Sequence, residues 1–176
     1  TSGAPDRNVL ADMDGDGDLD VVVGYGHDPE SKVAWYEQQA SPFAAWPEHL
    51  VANLTTPSNT SPQSIDVGDM DGDGDLDIVA GQHRGSGSQL HTLRVYAIEN
   101  LDGRGGEWAL HLIHTGDEHH DGTQLFDVDG DGDLDVVSIG WTHGRVLLYE
   151  NTSACTSAPP QATATPTPAA VHTPPP

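Results

Sequence analysis

Short apolar runs of four to six residues recur along the chain up to residue 150, bounded by Gly, Asn, Asp and Pro. The first run of each set covers residues 21–24, 78–81 and 136–140, and each ends in Gly. The second run covers residues 33–37, 95–99 and 146–150, and a third run that begins with Trp covers residues 46–51 and 108–113. Short runs rich in β-branched and aromatic residues are typical of strands, and no convincing apolar stripe has helical spacing. The pattern therefore predicts an all-β protein.

An aspartate-rich segment of nine residues precedes each set of strands. The three segments begin at residues 12, 69 and 127, so their spacing is 57 and then 58 residues. A constant period of this size is typical of stacked or circularly arranged supersecondary units. It divides residues 1–153 into three repeats, at about 5–61, 62–120 and 121–153. The third repeat is truncated, since no Trp strand follows its second run.

Each segment reads Asp-x-Asp-Gly-Asp-Gly-Asp-Leu-Asp and predicts a calcium site. Carboxylates at positions 1, 3, 5 and 9 of a tight loop can converge on one ion, position 7 can add its backbone carbonyl, and Gly at position 6 permits the turn. These hard oxygen ligands suit calcium better than zinc or copper. The predicted side-chain ligands are Asp12, Asp14, Asp16 and Asp20, then Asp69, Asp71, Asp73 and Asp77, then Asp127, Asp129, Asp131 and Asp135. The predicted carbonyl ligands are Asp18, Asp75 and Asp133.

Electrostatic repulsion favours a bound cation over a solvated acidic turn. Two carboxylates about 5 Å apart repel by about 3 kcal/mol at an effective dielectric constant of about 20. Four converging carboxylates make six such pairs. Their summed repulsion exceeds the net stability of a typical domain, which is about 5–15 kcal/mol. An EF-hand is excluded because it needs Glu at position 12 and flanking helices. That position holds Val23, Ala80 and Ser138.

With its acidic loop followed by an apolar strand that ends near Gly, this sequence resembles the FG-GAP/VCBS repeats of integrin-α-like β-propellers over residues 5–151. The resemblance implies one four-stranded blade per repeat, with calcium in a loop between strands. It also implies an extracellular protein, since members of that family serve in adhesion and ligand binding. Some members form the scaffold of carbohydrate-acting lyases.

Three repeats are too few for a propeller, which usually closes with about four to eight blades. The predicted fold is therefore three β-propeller-type blades that form an incomplete or oligomer-completed propeller. Open strand edges at both ends would invite pairing with another chain. Three alternatives stay open: a piece of a longer propeller, a compact three-blade arc with covered ends, and one protomer of a multimer or filament.

Residues 154–176 form a Thr/Pro-rich tail, for which we expect an extended conformation without a core. Such a tract is typical of an O-glycosylated stalk or a plain linker. Cys155, the only cysteine, excludes an internal disulfide and would be a free thiol or pair between chains. Candidate glycosylation sites are Asn53, Asn59 and Asn151 in Asn-x-Ser/Thr triplets, and Thr163, Thr165, Thr167 and Thr173 in the tail.

The net negative charge of the chain limits the classes of partner that we expect. With 28 acidic against 6 basic residues and a net charge of −22, neither nucleic acid nor an anionic membrane is an expected partner. No apolar run is long enough to span a bilayer. The chain begins at Thr1 without Met, which we interpret as a processed chain or a fragment.

No catalytic motif is recognisable, and the many carboxylates are assigned to calcium. His49 and His111 occupy matching strand positions and are expected to pack within the repeats. The acidic segment around His119 and His120 is expected to be a solvated turn. We therefore expect a non-enzymatic, calcium-stabilised, extracellular structural or adhesive module that assembles through open strand edges and its tail. The alternative is a fragment of a carbohydrate-active, lyase-like or ligand-binding propeller.

Overall fold

The computed structural model describes residues 4–26, 31–55, 60–84 and 90–152, which form three antiparallel sheets. The all-β prediction is confirmed: the described residues contain no α-helix, only a short 3₁₀ turn at Leu90–Thr92. None of their helices is long and apolar enough to cross a membrane. Several predictions lie outside the described residues, namely those for Asn59, Cys155, the tail 154–176, and its Thr163, Thr165, Thr167 and Thr173.

Each sheet is a meander in which strands adjacent in sequence pair with one another. Sheet 1 contains β1 (Ala4–Ala11), β2 (Asp20–Gly26), β3 (Lys32–Tyr36) and β4 (Glu48–Asn53). Sheet 2 contains β5 (Thr60–Gly68), β6 (Asp77–Arg84), β7 (Arg94–Asn100) and β8 (Trp108–Thr115). Sheet 3 contains β9 (Gly122–Phe126), β10 (Asp135–Ile139) and β11 (Val146–Tyr149). The aspartate segments connect the first strand of each sheet to the second.

The pairing register is repeated between sheets. The last Asp of each loop begins the second strand and pairs with the last residue of the first strand, as Asp20 does with Ala11 and Asp77 with Gly68. Since side chains alternate between the two faces of a strand, this register fixes which face of each sheet every residue occupies. The first strand of each sheet was not apparent from the apolar pattern, because β1 and β5 are rich in polar residues.

The sheets pack face to face, with sheet 2 in the middle. Between sheets 1 and 2, an apolar cluster includes the buried Val22, Val33 and Trp35 of sheet 1 and Ile78 and Ile98 of sheet 2. We call this contact the first interface. Each side of it comes from alternate strand positions, so the opposite face of sheet 2 remains for sheet 3.

The second interface lies between sheets 2 and 3. Its buried apolar centre is formed by Val79 and Val95 of sheet 2 and Val136 of sheet 3, with Leu125 and Tyr149 packed against them. Within sheet 2, Ile78 therefore faces sheet 1 while the adjacent Val79 faces sheet 3. Ile78, Val79 and Ala80 of β6 are all fully buried between the sheets, which explains why these three apolar residues are consecutive.

Candidate metal centres

The three aspartate loops have the same backbone conformation. The glycines at positions 4 and 6 adopt positive φ angles, for example 75° at Gly15 and 97° at Gly17. The corresponding glycines of the other loops have φ angles of 79° and 99° at Gly72 and Gly74, and of 82° and 102° at Gly130 and Gly132. L residues rarely adopt such angles, so these glycines allow the loop to turn sharply enough for its carboxylates to converge.

Three carboxylates meet in each loop, at positions 1, 3 and 9. One oxygen from each lies within 4.8 Å of the other two. The three groups are Asp12, Asp14 and Asp20; Asp69, Asp71 and Asp77; and Asp127, Asp129 and Asp135. The structure thus brings together three of the four predicted side-chain ligands in every repeat, although they are up to eight positions apart in sequence.

The position-9 aspartate connects each loop to its own sheet through backbone hydrogen bonds. Asp20 is almost fully buried, and its carboxylate accepts hydrogen bonds from the backbone N–H of Met13 and of Gln38, both at 2.9 Å. Asp77 accepts the same two bonds from Met70 and Asn100, at 2.8 and 2.9 Å. The second donor lies at the end of the third strand, as Asn100 does, or just beyond it, as Gln38 does, so loop geometry depends on that strand.

Asp135 completes the series in the third repeat. It accepts backbone N–H bonds from Val128 at 3.0 Å and from Asn151 at 2.8 Å. Because each carboxylate oxygen has two acceptor directions, an oxygen that accepts one N–H bond can still bind a cation.

The carboxylates at positions 1 and 5 also hold the loop backbone. In the first loop, Asp12 accepts N–H bonds from Asp16 at 3.0 Å and from Gly17 at 2.9 Å. The Asp16 carboxylate accepts the N–H of Asp18 at 2.9 Å, and it is not among the converging groups found in the described residues. Asp73 and Asp131 make the equivalent bond in their loops. The predicted ligand roles of positions 5 and 7 therefore stay predictions.

The converged carboxylates carry uncompensated negative charge. Burial, reinforced by the neighbouring carboxylates, raises the pKa of Asp14, Asp20 and Asp71. Burial raises the pKa of Asp77 to about 6. Within the described ranges, no Lys or Arg forms an ion pair with a loop aspartate. Each cluster could hold a metal ion, whose positive charge would offset this repulsion.

The third loop has a further feature that fits a cation. The Asp133 side chain is buried, and its Oδ1 has no hydrogen-bond partner. Desolvation, together with a hydrogen bond to Asp131, raises its pKa to about 6. A buried carboxylate oxygen without a donor is costly unless a positive charge or a proton satisfies it.

Two histidine–glutamate pairs lie beside the first two loops. His49 Nε2 is 2.9 Å from Glu37, and His111 Nε2 is 2.6 Å from Glu99. Each pair joins the fourth strand to the end of the third strand. The electrostatic field of these glutamates contributes to the raised pKa of Asp14 and Asp71. Both histidines were expected to pack within the repeats, and their partners were not predicted, although Glu37 and Glu99 occupy matching positions in the first two repeats.

The segment before β9 is not the solvated turn that we expected. Glu118 and His119 are fully buried. Glu118 binds His83 Nδ1 at 2.6 Å and accepts the N–H of Thr142 at 2.8 Å, while His119 Nδ1 is 2.8 Å from the Ser138 hydroxyl. The expectation was wrong because it considered local charge, whereas the chain folds this segment between sheets 2 and 3.

Two of the candidate glycosylation sites are in the described part of the chain. Asn53 is exposed at the end of β4, and its Oδ1 accepts the N–H of Thr55 at 3.0 Å. Asn151 is half-buried, and its amide nitrogen donates to Met70 O at 2.7 Å and to Leu134 O at 3.4 Å. The nitrogen that would carry a glycan on Asn151 is thus engaged between sheets 2 and 3.

A cleft of about 400 Å³ opens beside the second loop, between sheets 2 and 3. Its wall includes Ala97, Ile113 and Tyr149, with Asp71 and Glu99 at its polar end. The cleft exists because Ala97 occupies the position that Trp35 fills in sheet 1.

The sequence of the first two loops is similar to that of a known family. The family model of the FG-GAP-like repeat matches residues 12–80. This part of the chain is therefore similar to an FG-GAP-like repeat. The match contains the first two aspartate loops, and the third loop repeats their hydrogen bonds outside the matched range. No curated protein matches the chain.

Proposed function

We propose that this FG-GAP-like protein is a calcium-stabilised structural or adhesive module with three calcium sites. The observation that carries the proposal is the convergence of three carboxylates within 4.8 Å, repeated in every sheet without a basic partner in the described residues. An all-oxygen donor set of this kind is the one that calcium prefers.

The ligands of the ion come from different parts of each loop. Positions 1 and 3, such as Asp12 and Asp14, present carboxylates from a loop that glycines allow to close, and position 9, Asp20, presents one from the start of β2. A bound calcium ion supplies two positive charges that offset the repulsion among them. Position 9 accepts a backbone hydrogen bond from the end of the third strand or just beyond it, so ion binding would stabilise three strands at once.

A propeller-type arrangement of the sheets agrees with how their first strands meet. A cavity of about 320 Å³ is lined by Arg7 of β1, Ser64 of β5 and Thr123 of β9. The first strands thus lie near one axis, from which each meander extends outward. We propose that the three sheets are blades of an open arc.

We further propose that the protein acts outside the cell and associates with itself. Extracellular calcium modules typically have dissociation constants of about 10⁻⁴–10⁻³ M, so they are filled only where free calcium is high. The sites are used for stability and binding rather than for catalysis. This agrees with the aspartates' hydrogen bonds, which anchor backbone instead of activating a nucleophile.

Calcium removal tests the proposal. Position 3 is the suitable site for mutation because Asp14, Asp71 and Asp129 each accept only one long bond, at 3.2 Å, within the loop backbone. The triple Asp→Asn variant should bind calcium at least tenfold more weakly in calorimetric titration, and its melting temperature should no longer rise with calcium.

The matched control is Asp6→Asn, which changes a partly exposed aspartate that lies outside the loops and pairs with Arg7. It should keep the full calcium response of the unmodified chain. If the unmodified chain melts at the same temperature in excess calcium and in excess chelator, the assignment of the loops is wrong.

A further inference from the structure

The two outer faces of the three-sheet stack are equivalent to faces that are buried inside it. Because the register is repeated, each residue on the outer face of sheet 3 has a counterpart in sheets 1 and 2. Val146 corresponds to Val33 and Val95, which are fully buried, yet Val146 is 72% exposed. A face built for burial is therefore uncovered in the single chain.

Other positions on that face agree. Leu148 corresponds to Trp35, which is 1% exposed at the first interface, and Leu148 itself is 54% exposed. Phe126, at the end of β9, is 64% exposed, and Ile139 is also exposed. These four residues, Phe126, Ile139, Val146 and Leu148, define what we call the trailing face.

The opposite end of the stack offers the complementary surface. The outer face of sheet 1 carries Leu10, Val21, Val23 and Ala34, which are the counterparts of sheet 2 residues that pack on sheet 1. Val23 and Ala34 are already buried beside Tyr25 and Tyr36, so Leu10 is the exposed member of this set. Leu10 is 58% exposed, although its counterpart Val67 packs in the first interface. We call this surface, together with the adjacent β3–β4 loop, the leading face.

One side-chain position points to how the two faces fit. At the first interface, Trp35 lies against Gly105 of the β7–β8 loop, and its Nε1 donates to Gly105 O at 3.0 Å. Phe43 lies three residues before Trp46, as Gly105 lies three residues before Trp108, so Phe43 is the counterpart of Gly105 in sheet 1. Phe43 is 96% exposed. At the first interface, the large Trp35 faces Gly105. At a contact between two copies, the smaller Leu148 would face the larger Phe43.

We propose that the trailing face of one copy binds the leading face of a second copy, head to tail. This inference rests on the proposed function as a self-associating module, and it names faces of sheets rather than the strand edges as the contact.

The contact cannot be an unchanged copy of the internal interfaces. Gly24 and Gly81 admit the first strand of the next sheet, because a Cβ would lie 2.7 Å from Pro62 O and 2.4 Å from Thr123 Oγ1, respectively. Sheet 3 has Ile139 at that position. Because Ile139 takes up the space that glycine leaves in the other sheets, the second copy must lie farther from the axis near which the first strands meet. This displacement favours an open chain of copies over a closed ring.

Two variants that each disable one face test the proposal on the full chain in excess calcium. Leu148→Glu places a charge on the trailing face, and Phe43→Lys places one on the leading face. The unmodified chain should sediment as two or more copies, and each variant alone should sediment at the monomer mass of 18.6 kDa. An equimolar mixture should form a one-to-one dimer, because one intact trailing face meets one intact leading face.

Controls separate this inference from the calcium assignment. Leu112→Glu alters an exposed leucine of β8 on sheet 2 and should associate like the unmodified chain. All variants should keep the calcium-dependent rise in melting temperature, which reports on the loops alone. An unmodified chain that stays monomeric at high concentration in calcium, or variants that still associate by themselves, would overturn the head-to-tail contact even if the loops bind calcium.

Discussion

The two interfaces within the stack share a register but are stabilised differently. The first interface is apolar: Trp35 fills the space between sheets 1 and 2, and Val22, Val33, Ile78 and Ile98 surround it with almost no exposed surface. The second interface has a short apolar centre, a cleft of about 400 Å³ and a buried polar layer. The repeat therefore specifies which faces meet, but not what fills the space between them.

The polar layer explains how the second interface is held without a large side chain. The hydroxyl of Ser64 on β5 lies 2.6 Å from that of Thr123 on β9, which is 3.1 Å from Ser138 on β10. Ser64 also donates to His119 O. Asp66 accepts the N–H of Leu125 at 2.9 Å, which adds a direct link between the first strands of sheets 2 and 3. Hydrogen bonds thus stabilise the second interface, where no large apolar side chain fills the space between the sheets.

The largest expected effect comes from removing the side chain that fills the first interface. Trp35→Ala should destabilise the calcium-loaded protein by about 3–5 kcal/mol, since it leaves a cavity and removes one of the two indole hydrogen bonds to the Gly105 carbonyl. Urea unfolding measures the change. Trp141→Ala, at a 74% exposed tryptophan, is the control and should stay within about 0.5 kcal/mol of the unmodified chain. Equal losses in the two variants would contradict the role assigned to Trp35.

An intermediate effect should follow from acid at the second interface. Burial lowers the pKa of His119 to about 4, although the carboxylates of Asp117 and Glu118 oppose that shift and His114 and His143 add to it. The folded protein therefore resists protonation that the unfolded chain accepts below about pH 6.5. The His119 contribution to stability is present above that pH and is lost progressively as the pH falls toward 4, by up to about 3 kcal/mol.

Urea unfolding between pH 7 and pH 4.5 tests this effect. In His119→Gln the loss of stability on acidification should be clearly smaller than in the unmodified chain. His91→Gln, at an exposed histidine, serves as the control and should keep the full pH dependence. The same pH dependence in all three proteins would show that His119 does not titrate between the folded and unfolded states as proposed.

The smallest effect should come from making the second interface resemble the first. Ala97→Leu places a larger side chain in the cleft at the position that corresponds to Trp35. Filling a cavity commonly adds about 0.5–2 kcal/mol of stability, and 1 kcal/mol raises the melting temperature of a domain of this size by about 2–4 °C. Ala45→Leu, in an exposed loop, should leave the melting temperature unchanged. A lower melting temperature for Ala97→Leu would mean that the cleft cannot accept added volume.

The sequence by itself determined the parts of this protein that are local or periodic. The β class followed from short apolar runs, and the convergence of carboxylates in each loop followed from Asp spacing and from glycines that permit positive φ. These features depend on a few neighbouring residues, and their repetition three times made them visible. The resemblance to FG-GAP repeats, which the family match supports over residues 12–80, depended on the same residues.

Only the tertiary structure decided which residues meet across sheets. It buried Glu118 and His119, paired His111 with Glu99, and left Val146 exposed where its counterpart Val95 is covered. None of this could be read from composition, because burial of a charged or apolar side chain depends on the register of a distant strand and on whether another sheet follows. The physical reason is that packing and desolvation are properties of assembled faces, whereas turn geometry and ligand spacing are properties of the local chain.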